Sequence, residues 1–300
     1  MRRAIAYSQL PTEQPNPRSR HLDQLSIPRL LQLMNREDAT VSRAVRAAMP
    51  QIARAVSLNV AALREGGRLF FIGAGTSGRL GVIEAAECPP TFHTPPSLVQ
   101  AIVAGGRGAV FRSREGAEDD RVAARRMIRR RVRAGDVAIG IAASGVTPFV
   151  DAGLREARVR GASTVLVTCN RYTPTRASAD VTIAVSTGPE VLSGSTRLKA
   201  GTATKLVLNM LTIATMVRLG KVYGHRMVDV RPTSKKLHAR AIRLIAETGG
   251  VSLARAAQLL RHAHGHTKLA IVMAARRVDR HTAQRLLTSH QGQLRHILQA

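Results

Sequence analysis

Between Leu69 and Pro90 the chain reads "LFFIGAGTSGRLGVIEAAECPP", a stretch with groups that bind anions and groups that move protons. Gly73, Gly75 and Gly78 satisfy G-x-G-x-x-G, the spacing at which backbone N–H groups close around a phosphate. Thr76 and Ser77 add hydroxyls inside the same turn. Two further segments have the same Ser/Thr/Gly character: "ASGVTP" with Ser144, Gly145 and Thr147, and "STGPEVLSGSTRLKAGT" with Glu190, Ser193, Ser195 and Lys199. Hydroxyls and glycine backbone converging on one anion are the economical explanation for three such loops, and Lys199 and Arg197 read either as cations for a phosphate or carboxylate or as caps of the following helix. The carboxylates come in two pairs, Glu84 with Glu87 at i, i+3 and Glu115 with Glu118 in "REGAEDD". Paired glutamates near a bound phosphate suit proton transfer rather than hydride transfer. Acidic residues at a helix start are equally explained as partners of the helix dipole.

The turn permits three readings: a sugar-phosphate cradle, a dinucleotide site, or a glycine turn of structural value only. A dinucleotide site needs a carboxylate about 20 residues on, at the end of the second strand, for the ribose hydroxyl. Leu98 to Gly105 contains none. A Walker loop is excluded because no Gly-Lys-Ser/Thr follows the turn.

Positioning such loops requires a scaffold, and the apolar pattern supplies one. Strand-like runs occur at 68–75, 98–105, 136–144, 163–170 and 181–186, with helical segments at about 78–87, 116–133 and 149–160 between them. Near-continuous apolar strands alternating with helices indicate an α/β fold, a doubly wound five-stranded parallel sheet covered on both faces. In such sheets ligands bind beyond the carboxyl ends of the strands, where all three hydroxyl-rich loops fall. The expected organisation is an N-terminal arm and helices over 1–54, the α/β domain over 55–220 closed by a helix at 201–220, and a helical domain over 221–300. Residues 1 to about 25 read as an extended arm, and Pro50 is expected to interrupt the second N-terminal helix pattern.

Composition narrows the partners. The formal charge of +27 invites a nucleic-acid reading, but the basic residues are spread along the whole chain, and aromatics make up only 3%, with no Trp. Stacking platforms for single strands are therefore scarce. Lysine is absent before Lys199, so most of the charge is arginine, as coding bias would also produce. The densest run, "RRMIRRRVR", reads as an amphipathic helix with a solvated basic face. No run of about 18 apolar residues suggests a membrane span, and no apolar stretch follows Arg2 and Arg3 as a signal peptide requires. Two cysteines, Cys88 and Cys169, read as buried small residues in a reducing cytoplasm. His262, His264 and His266 fit no single helix face and lack an acidic neighbour, so no metal and no nucleotide cofactor is expected.

Taken together, "GAGTSGRLGVIEAAECPPTF", "REGAEDD", "GIAASGVTPFV", "GPEVLSGSTRLKAGTATKLVLNML", "GKVYGHRMVDV" and the opening "TEQPNPRSRHLDQLS" resemble the N-acetylmuramic acid 6-phosphate etherases. Those are enzymes of the sugar isomerase (SIS) fold, related to the longer glucokinase regulatory proteins. The resemblance implies elimination of lactate from the sugar ether followed by addition of water, without metal or nucleotide, in a cytoplasmic homodimer. By the same resemblance Glu87, immediately before Cys-Pro-Pro, is the acid/base glutamate and Glu118 the second active-site glutamate. Glu87 fits proton donation to the ether oxygen. The chain departs from the family's usual pattern at Val146, where an arginine is common, at Glu84-Ala85-Ala86 in place of Asp-Ala-Ser, and at His225 and Arg226. Two rival classes are a non-catalytic sugar-phosphate sensor and a DNA-binding SIS regulator. The latter needs a helix-turn-helix, and residues 1–66 offer no recognition helix. A titration of duplex DNA across salt is expected to show no steep loss of affinity with ionic strength, the signature of a phosphate-reading interface.

Overall fold

In a computed structural model of the chain, residues 7–230, 232 and 234–299 are described. Arg2 and Arg3 of the expected arm, and Thr233 ahead of the C-terminal helices, lie outside the described residues. In chain order the elements begin with α1 (Ile27–Asp38), α2 (Val41–Ala47), α3 (Met49–Arg64), β1 (Leu69–Gly73), α4 (Gly75–Phe92), β2 (Val99–Val103), α5 (Gly108–Phe111) and α6 (Arg121–Arg131). They continue with β3 (Val137–Ile141), α7 (Pro148–Val159), β4 (Ser163–Thr168), β5 (Val181–Ala184) and α8 (Lys199–Arg218). A short β6–β7 hairpin (Val222–Tyr223, Arg226–Met227) precedes α9 (Lys235–Gly249), α10 (Leu253–His262), α11 (Thr267–Arg276), α12 (Arg280–Ser289) and α13 (Leu294–Gln299).

The chain forms two compact units, one running through Ala86 and from Pro96 to Thr212, the other made of Glu87–Pro95 and the chain from Ile213 onward. The first unit contains the parallel sheet in the order β2-β1-β3-β4-β5. β1 and β3 are buried at every position, which is why their sequences run apolar instead of alternating. One face packs Phe70, Ile72, Ile102, Ala138 and Leu166 with Ile128 of α6 and Phe149, Val150 and Leu154 of α7. On the other face Gly81 of α4 brings its backbone against Phe71, where an added Cβ would stand 2.8 Å from the Phe71 Cβ. Ile52 and Ala55 of α3 and Ala203 and Val207 of α8 are buried as well. The second unit has its own core, built from Val228, Ile245, Leu259, Ile271, Leu294 and Ile297. Ser234, Ser252 and Asp279 each accept a bond from the first turn of the helix they precede, at 3.3, 3.2 and 2.7 Å. His93 belongs to this unit, its ring 6.1 Å from that of His266 and its Nδ1 4.0 Å from an Asp229 oxygen.

Several expectations are corrected. All five strands begin within a residue of expectation, yet every strand ends early, because the chain at their carboxyl ends turns instead of pairing. The helix expected at 116–133 starts at Arg121, because Asp120 accepts the Ala123 N–H at 2.8 Å and forms the cap, leaving Glu115 and Glu118 in the loop ahead of it. The double proline does not end α4, which runs through Pro89 and Pro90 to Phe92 and stops where His93 takes a φ of 51°. Pro50 behaves as expected, opening α3 at its first turn, the position where a missing N–H costs no helix bond. The arm is not extended: three short 3-10 turns fold it against the first unit, burying Leu10, Thr12 and Asn16. One helix, α8, meets the length and composition of a membrane span that the sequence did not suggest, but 56% of its apolar window is buried, as in a core helix.

At the amino edge of the sheet, Asp136 is fully buried and accepts four hydrogen bonds, from the Arg68 and Arg133 N–H groups and twice from the Arg68 guanidinium. Replacing Asp136 with Asn is expected to remove about 3 kcal/mol of stability, measured by urea unfolding, since one oxygen can no longer accept and the guanidinium loses its counter-charge.

Candidate functional site

The strand order reverses between β1 and β3, so the crevice beyond their carboxyl ends is the place where a ligand is best accommodated. The register aligns Gly73 of β1 with Ile141 of β3 and Val103 of β2, bringing the following loops to one level. A cavity of about 390 Å³ opens there. Its wall takes Gly75, Thr76 and Ser77 from the first loop, Ser144 and Thr147 from the third, and Glu118 from the segment after β2.

The glycines of the first loop divide the work. An added Cβ at Gly73 would lie 2.7 Å from the Gly78 N, and one at Gly78 would lie 2.8 Å from the Gly73 carbonyl oxygen. Two backbones at that spacing exclude any side chain, so the strand end and the helix start stay in contact. Gly75 takes φ +53° with open space around it, which releases the turn toward the cavity. The α4 helix begins at this turn, and α7 begins immediately after Thr147, whose own side chain makes no cap bond. The α4 first turn at Gly75, Thr76 and Ser77 and the hydroxyls of Ser77, Ser144 and Thr147 therefore serve one cavity, the arrangement that stabilises a phosphate, while α7 opens on Pro148, which has no N–H to add.

The third loop is braced from below. The Asn170 amide donates to the Ser144 carbonyl at 3.0 Å, and Thr173 donates from its hydroxyl to the Gly145 carbonyl. Gly145 has φ +78° and faces Thr173 and Thr168, with an added Cβ 2.6 Å from the Thr173 Cβ. Its part is to shape the loop. Val146 is 93% buried and apolar. Positive charge reaches the cavity instead through Arg79, which donates to the carbonyls of Val110 and Ala109 at 2.9 and 3.0 Å, and through Arg114, which donates to the Gly105 carbonyl at 3.3 Å. The Arg79 bonds tie the segment between β2 and α6, which carries Glu118, to the start of α4.

The remaining candidates separate. Glu190 is buried and accepts from the N–H groups of Lys199 and Ala200 at 3.0 and 2.9 Å, so it caps α8. Burial pushes its carboxyl above the ordinary range, partly offset by those N–H donors. Lys199 is buried with its ammonium 2.6 Å from Glu37. Burial opposes ionisation of Glu37, but hydrogen bonds from Lys199, Arg18 and Asn16 together outweigh it and hold its pKa below the ordinary value. Ser193 and Arg197 are exposed and Ser195 half-buried on the loop before α8, outside the cavity lining. Glu84 is buried and accepts from the Asn209 amide at 2.7 Å and from the Thr212 hydroxyl. Glu87, in the second unit, is exposed one residue before the buried Cys88. Burial pushes the Cys169 thiol up to about 12, which removes it as a nucleophile near neutral pH. His262 closes α10, His264 sits in the turn with φ 50° and His266 precedes α11, so the three occupy different structural positions. Among the described residues no three His, Cys, Asp or Glu side chains stand close enough to hold a metal ion.

Sequence reasoning missed Glu13, Arg79 and Arg114 as lining residues. The first lies in "TEQPNP", the opening motif that the family resemblance quotes without assigning it a task.

Residues 51–158 match the glucokinase regulatory protein N-terminal SIS domain, and residues 119–214 match the SIS domain. An N-acetylmuramic acid 6-phosphate etherase from Nostoc sp. (strain PCC 7120) is 52% identical over 95% of this chain and 93% of its own length. The protein of the same name from Rhodopirellula baltica is 47% identical over 97% of both chains. Among solved structures, a candidate phosphosugar isomerase involved in capsule formation from Bacteroides fragilis superposes with a TM-score of 0.51 at 18% identity. That match covers 67% of this chain and 95% of the other, a likeness of fold.

If Lys199 and Glu37 serve structure, Lys199→Met alone should cost about 3–5 kcal/mol in urea unfolding by stranding a buried carboxylate, and adding Glu37→Gln should recover part of it. The same carboxylate sets an acid limit. Its pKa is lowered on folding, so its contribution is complete above the ordinary glutamate range and is lost as pH falls through the native value. Stability measured down through acid pH should therefore fall less steeply in Glu37→Gln than in the unaltered chain.

Proposed function

This chain belongs to the N-acetylmuramic acid 6-phosphate etherase family, and on that premise we propose that it cleaves the D-lactyl ether of N-acetylmuramic acid 6-phosphate, giving N-acetylglucosamine 6-phosphate and D-lactate. It is an enzyme, a carbon–oxygen lyase. The observation that carries the reading is identity near one half over nearly the whole of this chain and of its relatives. Nothing in the comparisons favours the non-catalytic sensor.

The chemistry of the cavity agrees with such a substrate. Ser77, Ser144 and Thr147, with the first-turn N–H groups of α4, are suited to the 6-phosphate, a group that prefers aligned donors to a single counter-ion. In our reading the sugar reacts in its open form, where the C1 aldehyde acidifies the proton on C2. A base removes that proton, the C3–O bond breaks, and the lactyl oxygen leaves with a proton from an acid. Water then adds to C3 of the unsaturated aldehyde, its hydroxyl going to C3 and a proton returning to C2, so the sum is hydrolysis. Glu87 and Glu118 divide the acid and base duties. Glu118 is exposed at the cavity wall, where a carboxylate can reach a substrate proton. Gly75 and Thr76 complete the proposed substrate-binding set, Glu190, Gly145 and Lys199 act by holding the loops in shape, and Ser193 and Ser195 lie on the loop before α8 outside the lining. No metal or nucleotide is invoked. The resemblance implies a homodimer in the cytoplasm, and two buried free thiols suit that compartment.

Incubation with N-acetylmuramic acid 6-phosphate should release D-lactate, read with a lactate dehydrogenase assay; a chain that binds the sugar phosphate and releases none is not an etherase. Glu87→Gln and Glu118→Gln should each lower kcat by about 10²–10⁴-fold with binding retained. Near-normal turnover in either removes that residue from the mechanism. In heavy-oxygen water the label should appear at C3 of the sugar, and label in lactate would exclude elimination.

A further inference from the structure

Glu13 lines the same cavity as Ser77, Ser144 and Glu118, although it comes from the far end of the chain. Its position is fixed from both sides. On one side Thr12 is 98% buried and its carbonyl accepts the Gly194 N–H at 3.1 Å. On the other, Asn16 is buried and its amide donates to Glu37 at 2.9 Å and to the Pro189 carbonyl at 3.3 Å. Glu37 in turn holds Arg18 and the buried Lys199, each at 2.6 Å. The strap carrying Glu13 is thus fastened to the loop between β5 and α8 at residues 12 and 16, with the carboxylate between the two fastenings.

The local chemistry orients the side chain. The Thr12 hydroxyl donates to one Glu13 oxygen at 3.2 Å. The other oxygen lies against Gly194, where an added Cβ would stand 3.0 Å from it. Gly194 has φ +76°, so a bare residue occupies the position for backbone reasons and also leaves the carboxylate its room. An ionised carboxylate only accepts hydrogen bonds. It repels the phosphate held at the α4 helix start and the carboxylate of a lactyl group, so its partner must be a neutral donor on the sugar.

We propose that Glu13 is a substrate-binding residue of this cavity, accepting a hydrogen bond from a hydroxyl or amide N–H of the bound amino-sugar phosphate. The assignment rests on the reading of the cavity as a sugar-phosphate site, and adds a contact on the sugar itself. It makes the N-terminal strap part of the site: the strap closes one wall with a carboxylate and discriminates a sugar phosphate from a bare phosphate. A charge-assisted hydrogen bond of this kind is worth on the order of tenfold in affinity.

The test compares two probes, N-acetylglucosamine 6-phosphate and inorganic phosphate, bound to the full chain by titration calorimetry. Glu13→Gln and Glu13→Ala should each weaken the sugar phosphate about tenfold, with inorganic phosphate within about twofold of the unaltered chain. The unfolding midpoint should stay unchanged, and KM for the ether substrate should rise more than kcat falls. A loss under about threefold for the sugar phosphate in both variants overturns the proposal. So does an equal loss for both probes, which would mean that the strap merely supports the loop. A chain that binds both probes with the predicted difference yet releases no lactate removes the etherase reading and leaves the Glu13 assignment standing.

Discussion

A single buried carboxylate holds the sugar-phosphate unit in its working form. Glu37, at the end of α1, accepts from Lys199 at the start of α8, 162 residues on, and from Arg18 and Asn16, which brings three segments together. A buried ion pair of this sort gains little net stability, because desolvation offsets most of the attraction. What it does provide is position: each of its donors is satisfied in one arrangement only. The loop between β5 and α8, the N-terminal strap and the first turn of α8 are set by that requirement, and two walls of the cavity depend on it.

The cavity itself is built from backbone more than from charge. A chain with a net charge of +27 could have met a phosphate with lysines and arginines. Instead the two arginines in the wall use several of their N–H groups on the carbonyls of Gly105, Ala109 and Val110, and Lys199 is committed to Glu37. Besides the remaining guanidinium N–H groups, the donors that face a ligand are hydroxyls and the N–H groups at the start of α4. Such donors are pre-aligned by the fold and need no reorganisation when an anion arrives. The excess charge lies elsewhere, spread over exposed faces such as that of α6, where it acts as a long-range field.

The family resemblance and the α/β class were legible because each rests on local signals. Buried parallel strands must be apolar throughout, and β1 and β3 read that way in sequence and are buried at every position. The phosphate turn was legible because Gly73 and Gly78 face each other across a short turn, so the close approach that demands glycine is encoded locally. Helix boundaries were less legible. Asp120 rather than Glu115 or Glu118 captures the orphan N–H of α6, a choice among neighbouring carboxylates that depends on how the preceding loop turns. The prolines after Glu87 looked like a stop, yet α4 carries them and ends at the left-handed His93.

By itself, the sequence determined the layered fold, the strand ends at which a ligand sits, the glycine turn and the family, since strand burial, turn geometry and motif order are all written within a few residues. Only the tertiary structure decided which polar side chains face the cavity. Lys199 and Glu190 look like ligands in a hydroxyl-rich loop, yet one is neutralised by Glu37 and the other caps α8. Glu13, far from every other site residue in the chain, meets them at the cavity wall. A polar side chain takes whatever partner the fold brings within hydrogen-bond reach, and for residues over 100 positions apart no local pattern records which partner that will be.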